Sequence, residues 1–154
     1  MILRQHGGPQ IELAILNYQF RDGADNWHDL NWLSVQVAVK SLGAHWKNVE
    51  PCLLTTEVRA LAAWLRAAAV GRTDGPLDFV EPELSFAVVR PVEIGAPIPV
   101  GVTLRHGLLK NQSLVSGTFA EVPLVLHVAP DDLQLAASDL DAEAQRFPIR
   151  QGLP

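Results

Sequence analysis

Apolar and polar residues alternate with a period of two over residues 33–40 of this chain. The apolar positions are leucine and valine, and the positions between them are polar or small. This period, with mostly β-branched apolar residues, predicts a strand that is buried on one face only. A turn predicted at Ser41-Leu42-Gly43 is followed by residues 44–50, which we expect to return as an antiparallel partner strand.

A similar alternation over residues 10–20 changes its phase partway along. The apolar positions are odd-numbered up to Ile15 and even-numbered from Leu16 onward. A strand that keeps one face inward across such a change must contain one extra residue, which is the property of a β-bulge. We therefore predict a bulged strand here, followed by a loop over residues 21–30 that is rich in Asp, Asn and Gly.

Several later stretches also alternate, and they are separated by proline, glycine or short polar runs. Their short length is typical of strands and not of helices. These stretches predict further strands at residues 77–80, 84–88, 98–104, 114–119 and 122–128.

Residues 56–70 show the helical period of 3.6 instead, with one apolar stripe and one polar side. Thr55 or Thr56 is the predicted N-cap, and Glu57 follows in the first turn, where the helix dipole favours a carboxylate. Gly71 is predicted to end this central amphipathic helix.

A second helical period predicts a C-terminal helix at about residues 132–146, with Asp131 or Asp132 as its N-cap and Pro148 beyond its end. Strands arranged as hairpins, with helices between and after them, indicate an α+β fold. The expected architecture is a mostly antiparallel sheet of about seven strands, covered by the two helices, in a single domain of residues 1–154.

The 154-residue chain has the composition of a globular protein, with 48% hydrophobic and 19% charged residues. Its formal net charge of −5 argues against nucleic acid and against an anionic membrane as partners, because both attract an excess of Lys and Arg. No apolar run is long enough for a membrane span, and the first residues lack the apolar core of a signal peptide. With Cys52 as the one cysteine, an intramolecular disulfide is excluded, and we expect a cytoplasmic protein.

Residue types that bind metals or catalyse reactions are scattered along the chain. None of the five histidines is spaced as a metal-binding pair, so neither a metal nor another cofactor is expected. Cys52 precedes a predicted helix, but its apolar neighbours favour a buried, inert thiol. An enzyme would have to use dispersed residues, such as His28 or His45 with Asp29, and we expect no enzymatic activity.

Three carboxylates, those of Asp22, Asp25 and Asp29, fall close together in the predicted loop. They could hold Ca²⁺, but their spacing differs from that of an EF-hand, and Asp side chains commonly bond to their own backbone in turns. Trp27 lies among them. An aromatic residue in an acidic loop suits the binding of a partner, although packing within the loop explains it equally well.

Three groups of short motifs are distinctive in this sequence. They are Asn31-Trp32-Leu33, Leu53-Leu54-Thr55-Thr56-Glu57 with Leu61 and Trp64-Leu65, and Glu81-Pro82 with Leu84-Ser85-Phe86. In these motifs the chain resembles the WapI-type immunity proteins, a family of small bacterial proteins of toxin–immunity systems. The resemblance extends from Ile11 to Arg150.

This resemblance implies a non-catalytic protein that docks on the active domain of a cognate toxin and neutralises it. If that toxin is a nuclease, its cleft is basic, and an acidic antidote would be steered towards it. The alternative is a bacterial domain that binds a small ligand or another protein in an unrelated role. The expected partner-binding residues are Asp22, Asp25, Trp27, Asp29, Glu81 and Glu83.

Overall fold

The computed structural model describes residues 1–20, 26–41, 43–73, 75–89, 96–110 and 121–151. Within these residues the strands form two four-stranded antiparallel sheets. Sheet A has the order β1-β2-β3-β4, and its strands are Ile2–Arg4, Gln10–Tyr18, Trp32–Ser41 and Ala44–Leu54. Sheet B has the order β5-β6-β7-β8, and its strands are Leu77–Asp78, Leu84–Val88, Ile98–Arg105 and Glu121–Val128.

The helices are α1 (Trp27–Asn31), α2 (Thr55–Ala69) and α3 (Pro130–Arg146), and a 3₁₀ helix spans His106–Leu109. The expected α+β class with antiparallel pairing is confirmed. The described residues contain eight strands in two sheets, where about seven were expected in one. The strand predicted at residues 114–119 lies outside the described residues. No helix in the described part of the chain is long and apolar enough to cross a lipid bilayer.

The predicted bulge in β2 is confirmed. Ile15 pairs with Val35 and Asn17 pairs with Ser34, which leaves Leu16 as the extra residue. Leu16 is exposed, whereas Ile15 is buried. The inserted residue therefore absorbs the change of phase, and the strand keeps an apolar side towards the interior on both sides of it.

A second register shift, not predicted from the sequence, occurs between β3 and β4. Leu33 pairs with Leu53 and Ser34 pairs with Pro51, so Cys52 is the unpaired extra residue. Cys52 and Leu53 are both buried. The sequence does not show this shift, because the residues immediately before and after Cys52 are apolar. A continuous apolar run has no alternation whose parity could change. The shift lets the buried end of β4 lead directly into α2.

The start of α2 differs from the prediction. The helix begins at Thr55 and its N-cap is Leu54, so neither Thr55 nor Thr56 is the cap. The backbone N–H of Leu54 donates to a carboxylate oxygen of Glu57 at 2.7 Å, which satisfies one of the N–H groups at the start of the helix without a capping hydroxyl. The Thr55 hydroxyl is used elsewhere, since it donates to the buried side chain of Asn31.

The predicted end of α2 is confirmed. Gly71 has a φ of +71°, which a residue with a Cβ adopts only at a cost. Its N–H donates to the carbonyl of Ala68 at 2.9 Å, and the N–H of Arg72 donates to that of Ala67 at 2.8 Å. These bonds satisfy the last carbonyls of the helix and turn the chain towards sheet B.

The C-terminal helix α3 begins two residues earlier than expected. Its N-cap is Ala129 and Pro130 is its first residue, so the caps predicted at Asp131 and Asp132 are wrong. Proline suits this position because its fixed φ matches the helix and its missing N–H would have no partner there. Both aspartates lie in the first turn instead, where the helix dipole favours their charge.

One hydrophobic cluster joins the inward faces of both sheets to the buried sides of α2 and α3. Leu61 and Leu65 of α2 are fully buried in it. Burial of each such side chain stabilises the fold by ~1.5–3 kcal/mol. The rings of Trp64 and Phe86 pack together with 6.0 Å between their centroids, and this contact joins α2 to sheet B. The two long helices also pack against each other.

Candidate partner-binding site

Part of the region predicted as a loop over residues 21–30 is helical, because α1 begins at Trp27. Asn26 is its N-cap, and the Asn26 side chain accepts a hydrogen bond from the N–H of Asp29 at 3.0 Å. The Asn26 amide also donates to the Asp29 carboxylate at 2.7 Å. The loop prediction was wrong here because a helix of five residues is too short to show an apolar period.

Trp27 presents an aromatic surface at the start of α1. Its side chain is 38% exposed, and its ring meets that of His28 edge-on with 5.3 Å between centroids. Asp29 is partly exposed two residues later. An exposed aromatic ring beside a carboxylate is a combination that suits a protein interface. Asp22 and Asp25, which were predicted to contribute to the same surface, lie outside the described residues.

The side chain of Asn31 attaches α1 to α2. This residue is fully buried, and its amide oxygen accepts a hydrogen bond from the Thr55 hydroxyl at 3.0 Å. Its amide nitrogen donates to the carbonyl of Trp27 at 2.8 Å. A buried amide loses free energy if its polar atoms are left without partners, so these bonds hold α1 against the first turn of α2.

The segment that carries Glu81 and Glu83 is attached to the same turn of α2. The backbone N–H of Val80 donates to the Glu57 carboxylate at 2.7 Å, and the other oxygen of that carboxylate bonds to the N–H of Leu54. The two groups of predicted contact residues, one on α1 and one at residues 81–83, therefore both flank the start of α2. They are about fifty residues apart in the sequence.

Glu81 and Glu83 differ in their accessibility. Glu81 is partly exposed, and no hydrogen bond or ion pair of its carboxylate is found among the described residues. The Glu83 side chain is only 19% exposed, and one of its oxygens is buried without a hydrogen-bond partner among the described residues. Its other oxygen lies 3.9 Å from Nδ1 of His106. Glu83 therefore points inward more than the sequence suggested.

The pKa of the Cys52 thiol is affected by its burial and by three carboxylates that lie near it in this region. Burial, followed by the negative charges of Glu83, Glu50 and Glu57, raises the pKa of this thiol to about 12. The thiol is therefore protonated and unreactive at neutral pH, in agreement with the predicted buried cysteine. Neither Glu50 nor Glu57 was among the partner-binding residues predicted from the sequence.

Glu50 could have been found by counting along β4. It has the same parity as the buried residues Trp46 and Asn48, so an alternating strand turns all three side chains to one face. The Glu50 side chain is 20% exposed, and its carboxylate accepts a hydrogen bond from Nζ of Lys110 at 2.8 Å. We refer to the region around the start of α2 as the acidic end, formed by Asp29, Glu50, Glu57, Glu81 and Glu83.

Basic residues gather at the other end of sheet A. Arg4, Gln10, Lys40 and His45 are paired in register across the four strands, and Lys47 lies on the same outward face. The ten residues of β3 run from α1 to this basic row, which is a length of about 30 Å. The basic row and the acidic end thus lie at opposite ends of β3. Lys110, which bonds to Glu50, and Arg150, whose backbone bonds to Asn31, are basic residues near the acidic end.

The enzymatic alternative paired His28 or His45 with Asp29. His28 is the neighbour of Asp29 on α1, whereas His45 lies at the start of β4, so the length of β3 separates His45 from Asp29. An open groove of about 420 Å³ lies between β1 and α3, and its lining includes a single histidine, His6. Among the described residues, no group of three or more His, Cys, Asp or Glu side chains is arranged to hold a metal ion.

The fold and this region define a small two-sheet α+β protein with an acidic end built around the start of its central helix. The model of the Immunity protein WapI-like family matches residues 1–148 of the chain. The chain belongs to this family. No match to the chain was found among curated proteins or among solved structures.

Proposed function

We propose that this protein is a non-catalytic immunity protein that binds and neutralises a cognate bacterial toxin domain through its acidic end. The observation that carries the proposal is the convergence of α1 and residues 81–83 on the first turn of α2. Membership of an immunity protein family supports the general role. The partner in this proposal is a protein, and neither a cofactor nor nucleic acid takes part.

The charge of the acidic end favours a toxin with a basic face. Complementary charges raise the rate at which two proteins meet in a productive orientation. Because the basic row lies at the far end of sheet A, the uneven charge distribution would also orient the approaching partner. A toxin that cleaves nucleic acid has such a basic face, since its substrate is a polyanion.

The contact residues in this proposal are not equivalent. Trp27 is the anchor, because an exposed aromatic ring buries a large apolar area when a partner covers it. Asp29 and Glu81 supply accessible charge beside it. Glu83 contributes mainly through its field because it is largely buried. Asp22 and Asp25 extend the same acidic segment of the sequence, next to α1.

The proposal also implies a compartment. An immunity protein must be present where the toxin domain acts, and for a toxin directed at nucleic acid this is the cytoplasm. The single cysteine is compatible with a reducing compartment, because no disulfide within the chain contributes to its stability.

A direct test begins with the gene neighbourhood: a neighbouring gene for a large secreted protein with a toxic C-terminal domain would supply the partner. The two proteins are co-expressed, the complex is isolated by size-exclusion chromatography, and its association rate is measured at several salt concentrations. We expect a stable complex whose association slows as salt is added, because screening weakens the steering. Failure to form a complex would contradict the immunity function and favour the alternative of an unrelated binding domain.

Charge variants test the location of the interface. The double variant Asp29→Asn with Glu81→Gln removes two carboxylates and keeps their size. A matched control, Asp132→Asn with Asp139→Asn, removes two exposed carboxylates from α3. We expect the first pair to slow association about tenfold and the second to change it little. Equal slowing by both pairs would mean that only the net charge matters and that the acidic end is not the interface.

A further inference from the structure

The segment that follows α3 returns to the end of β2. The hydroxyl of Tyr18, the last residue of β2, donates to the carbonyl of Pro148. The Tyr18 ring also meets the Phe147 ring edge-on, with 5.6 Å between centroids. Tyr18 and Pro148 are 130 positions apart in the sequence, so only the tertiary fold brings them together.

Arg150 extends these contacts to the region beside α1. Its guanidinium carbon lies 3.5 Å from the centre of the Tyr18 ring, which is a cation–π contact. The same guanidinium donates to the carbonyl of Phe20 at 3.0 Å. The backbone of Arg150 bonds to Asn31 in both directions, because its N–H donates to the amide oxygen at 2.8 Å and its carbonyl accepts from the amide nitrogen at 2.9 Å.

Asn31 is therefore shared between three parts of the chain. Its oxygen accepts from Thr55 and Arg150, and its nitrogen donates to Trp27 and Arg150. Two acceptor and two donor positions are the full capacity of an asparagine side chain. Since the residue is fully buried, water cannot replace a lost partner without local opening of the structure.

The helix α1 is too short to be stable by itself. A five-residue helix cannot offset the cost of nucleation, so its conformation depends on tertiary contacts. We propose that residues 147–150 form a strap that holds α1 in the position required for docking, with Asn31 and Arg150 as positioning residues. The docking part of this inference rests on the proposed function, whereas the support of α1 by the strap does not.

The test uses the full-length chain with Tyr18→Phe and Arg150→Ala combined. This double variant removes the hydroxyl and the guanidinium that fix residues 147–150 to β2 and Phe20, and it keeps an aromatic ring at position 18. The backbone bonds of residue 150 to Asn31 then lose this support and should open more often. The matched control is Arg146→Ala, because Arg146 also lies over an aromatic ring, that of Phe147, and does not reach α1. Arg150→Lys is the conservative variant, since its ammonium group can still sit over the Tyr18 ring.

The first readout is amide hydrogen exchange of α1. We expect the N–H of Leu30, which donates to the carbonyl of Asn26, to exchange about tenfold faster in the double variant. The amides of β3 should keep their protection in the double variant, and α1 should keep its protection in the control. Arg150→Lys should restore part of the protection. If the double variant does not fold, Tyr18→Phe alone should show the same pattern with a smaller change.

The second readout is affinity for the neighbouring toxin domain, which we expect to fall about tenfold in the double variant. Unchanged exchange of α1 would overturn the strap, whatever the affinity. Faster exchange with unchanged affinity would overturn the positioning role. If the wild-type protein forms no complex while the exchange changes as expected, the strap stands, and the proposed function fails together with the docking part of the inference.

Discussion

The carboxylate of Glu57 accepts the backbone N–H of Val80 at 2.7 Å while its other oxygen accepts the N–H of Leu54 at 2.7 Å. One side chain thus closes the N-terminus of α2 and fixes the segment leading to Glu81. The N-terminus of α2 and the position of Glu81 therefore both depend on the Glu57 carboxylate.

Replacing Glu57 with alanine should destabilise the protein by about 1–3 kcal/mol, because two backbone N–H groups lose their acceptor and the helix loses its first-turn charge. The free energy of unfolding measured in urea tests this. Asp139→Ala, on the exposed side of α3, is the comparison and should change stability by less than about 0.5 kcal/mol. Equal effects of the two substitutions would show that Glu57 acts only through its charge.

Asn31 and Thr55 should behave as one unit. Asn31→Ala removes four hydrogen bonds to three residues, and we expect it to destabilise the protein by about 2–4 kcal/mol. Thr55→Val removes one hydroxyl and should cost about 1 kcal/mol. In the double variant the hydroxyl is absent already, so the two losses should not add. Additive values in urea denaturation would contradict the bond between these two side chains.

The thiol of Cys52 should resist alkylation in the native state. With its pKa raised to about 12, the thiolate is scarce at pH 8, and burial also excludes the reagent. Iodoacetamide should therefore label the protein only after denaturant is added, as followed by mass spectrometry. Labelling of the folded protein within minutes would contradict the raised pKa and the burial.

The same raised pKa gives a dependence of stability on pH. The folded state holds the thiol proton more tightly than the unfolded state, whose thiol has a pKa near 9.0. This contribution is fully present below pH 9 and is lost as the pH rises towards 12. Wild-type stability should therefore fall more steeply over this range than that of Cys52→Ala, as measured by urea denaturation at each pH. Parallel curves would contradict the linkage.

The ion pair between Arg66 of α2 and Asp141 of α3 should contribute little despite its close contact. The two side chains are 40% and 45% exposed, so water screens their charges. We expect a coupling energy below about 1 kcal/mol in a double-mutant cycle with alanine. The packing of α2 depends on buried leucines instead, and Leu65→Ala should cost about 2–5 kcal/mol. A coupling energy between Arg66 and Asp141 larger than the destabilisation by Leu65→Ala would contradict this prediction.

Much of the fold could be predicted because its signals are local. The phase change at Leu16 located a bulge, and the period of residues 56–70 with Gly71 located α2 to within one residue at each end. The N-caps could not be predicted from residue type alone. Thr55 is a good cap in isolation, but a buried amide from another part of the chain takes its hydroxyl.

The candidate site was predicted less completely. The charge of the sequence and its family motifs predicted Trp27, Asp29, Glu81 and Glu83 as contact residues. Nothing in the sequence indicated that the two pairs lie close together in the fold. It also could not show that Glu83 turns inward, because its burial depends on how sheet B packs against the rest of the molecule. Glu50 was missed although its parity on β4 was visible.

By itself the sequence determined most of the described strands, the two long helices, the acidic net charge and the family motifs, because periodicity, charge and motif are properties of neighbouring residues. The short strand β1 at Ile2–Arg4 was not predicted. Only the tertiary structure decided that the strands divide into two sheets and that α1 is helical. It also decided that carboxylates from several segments meet at the acidic end. These outcomes depend on contacts such as that between Asn31 and Arg150, 119 residues apart, whose free energy appears only when the whole chain has folded.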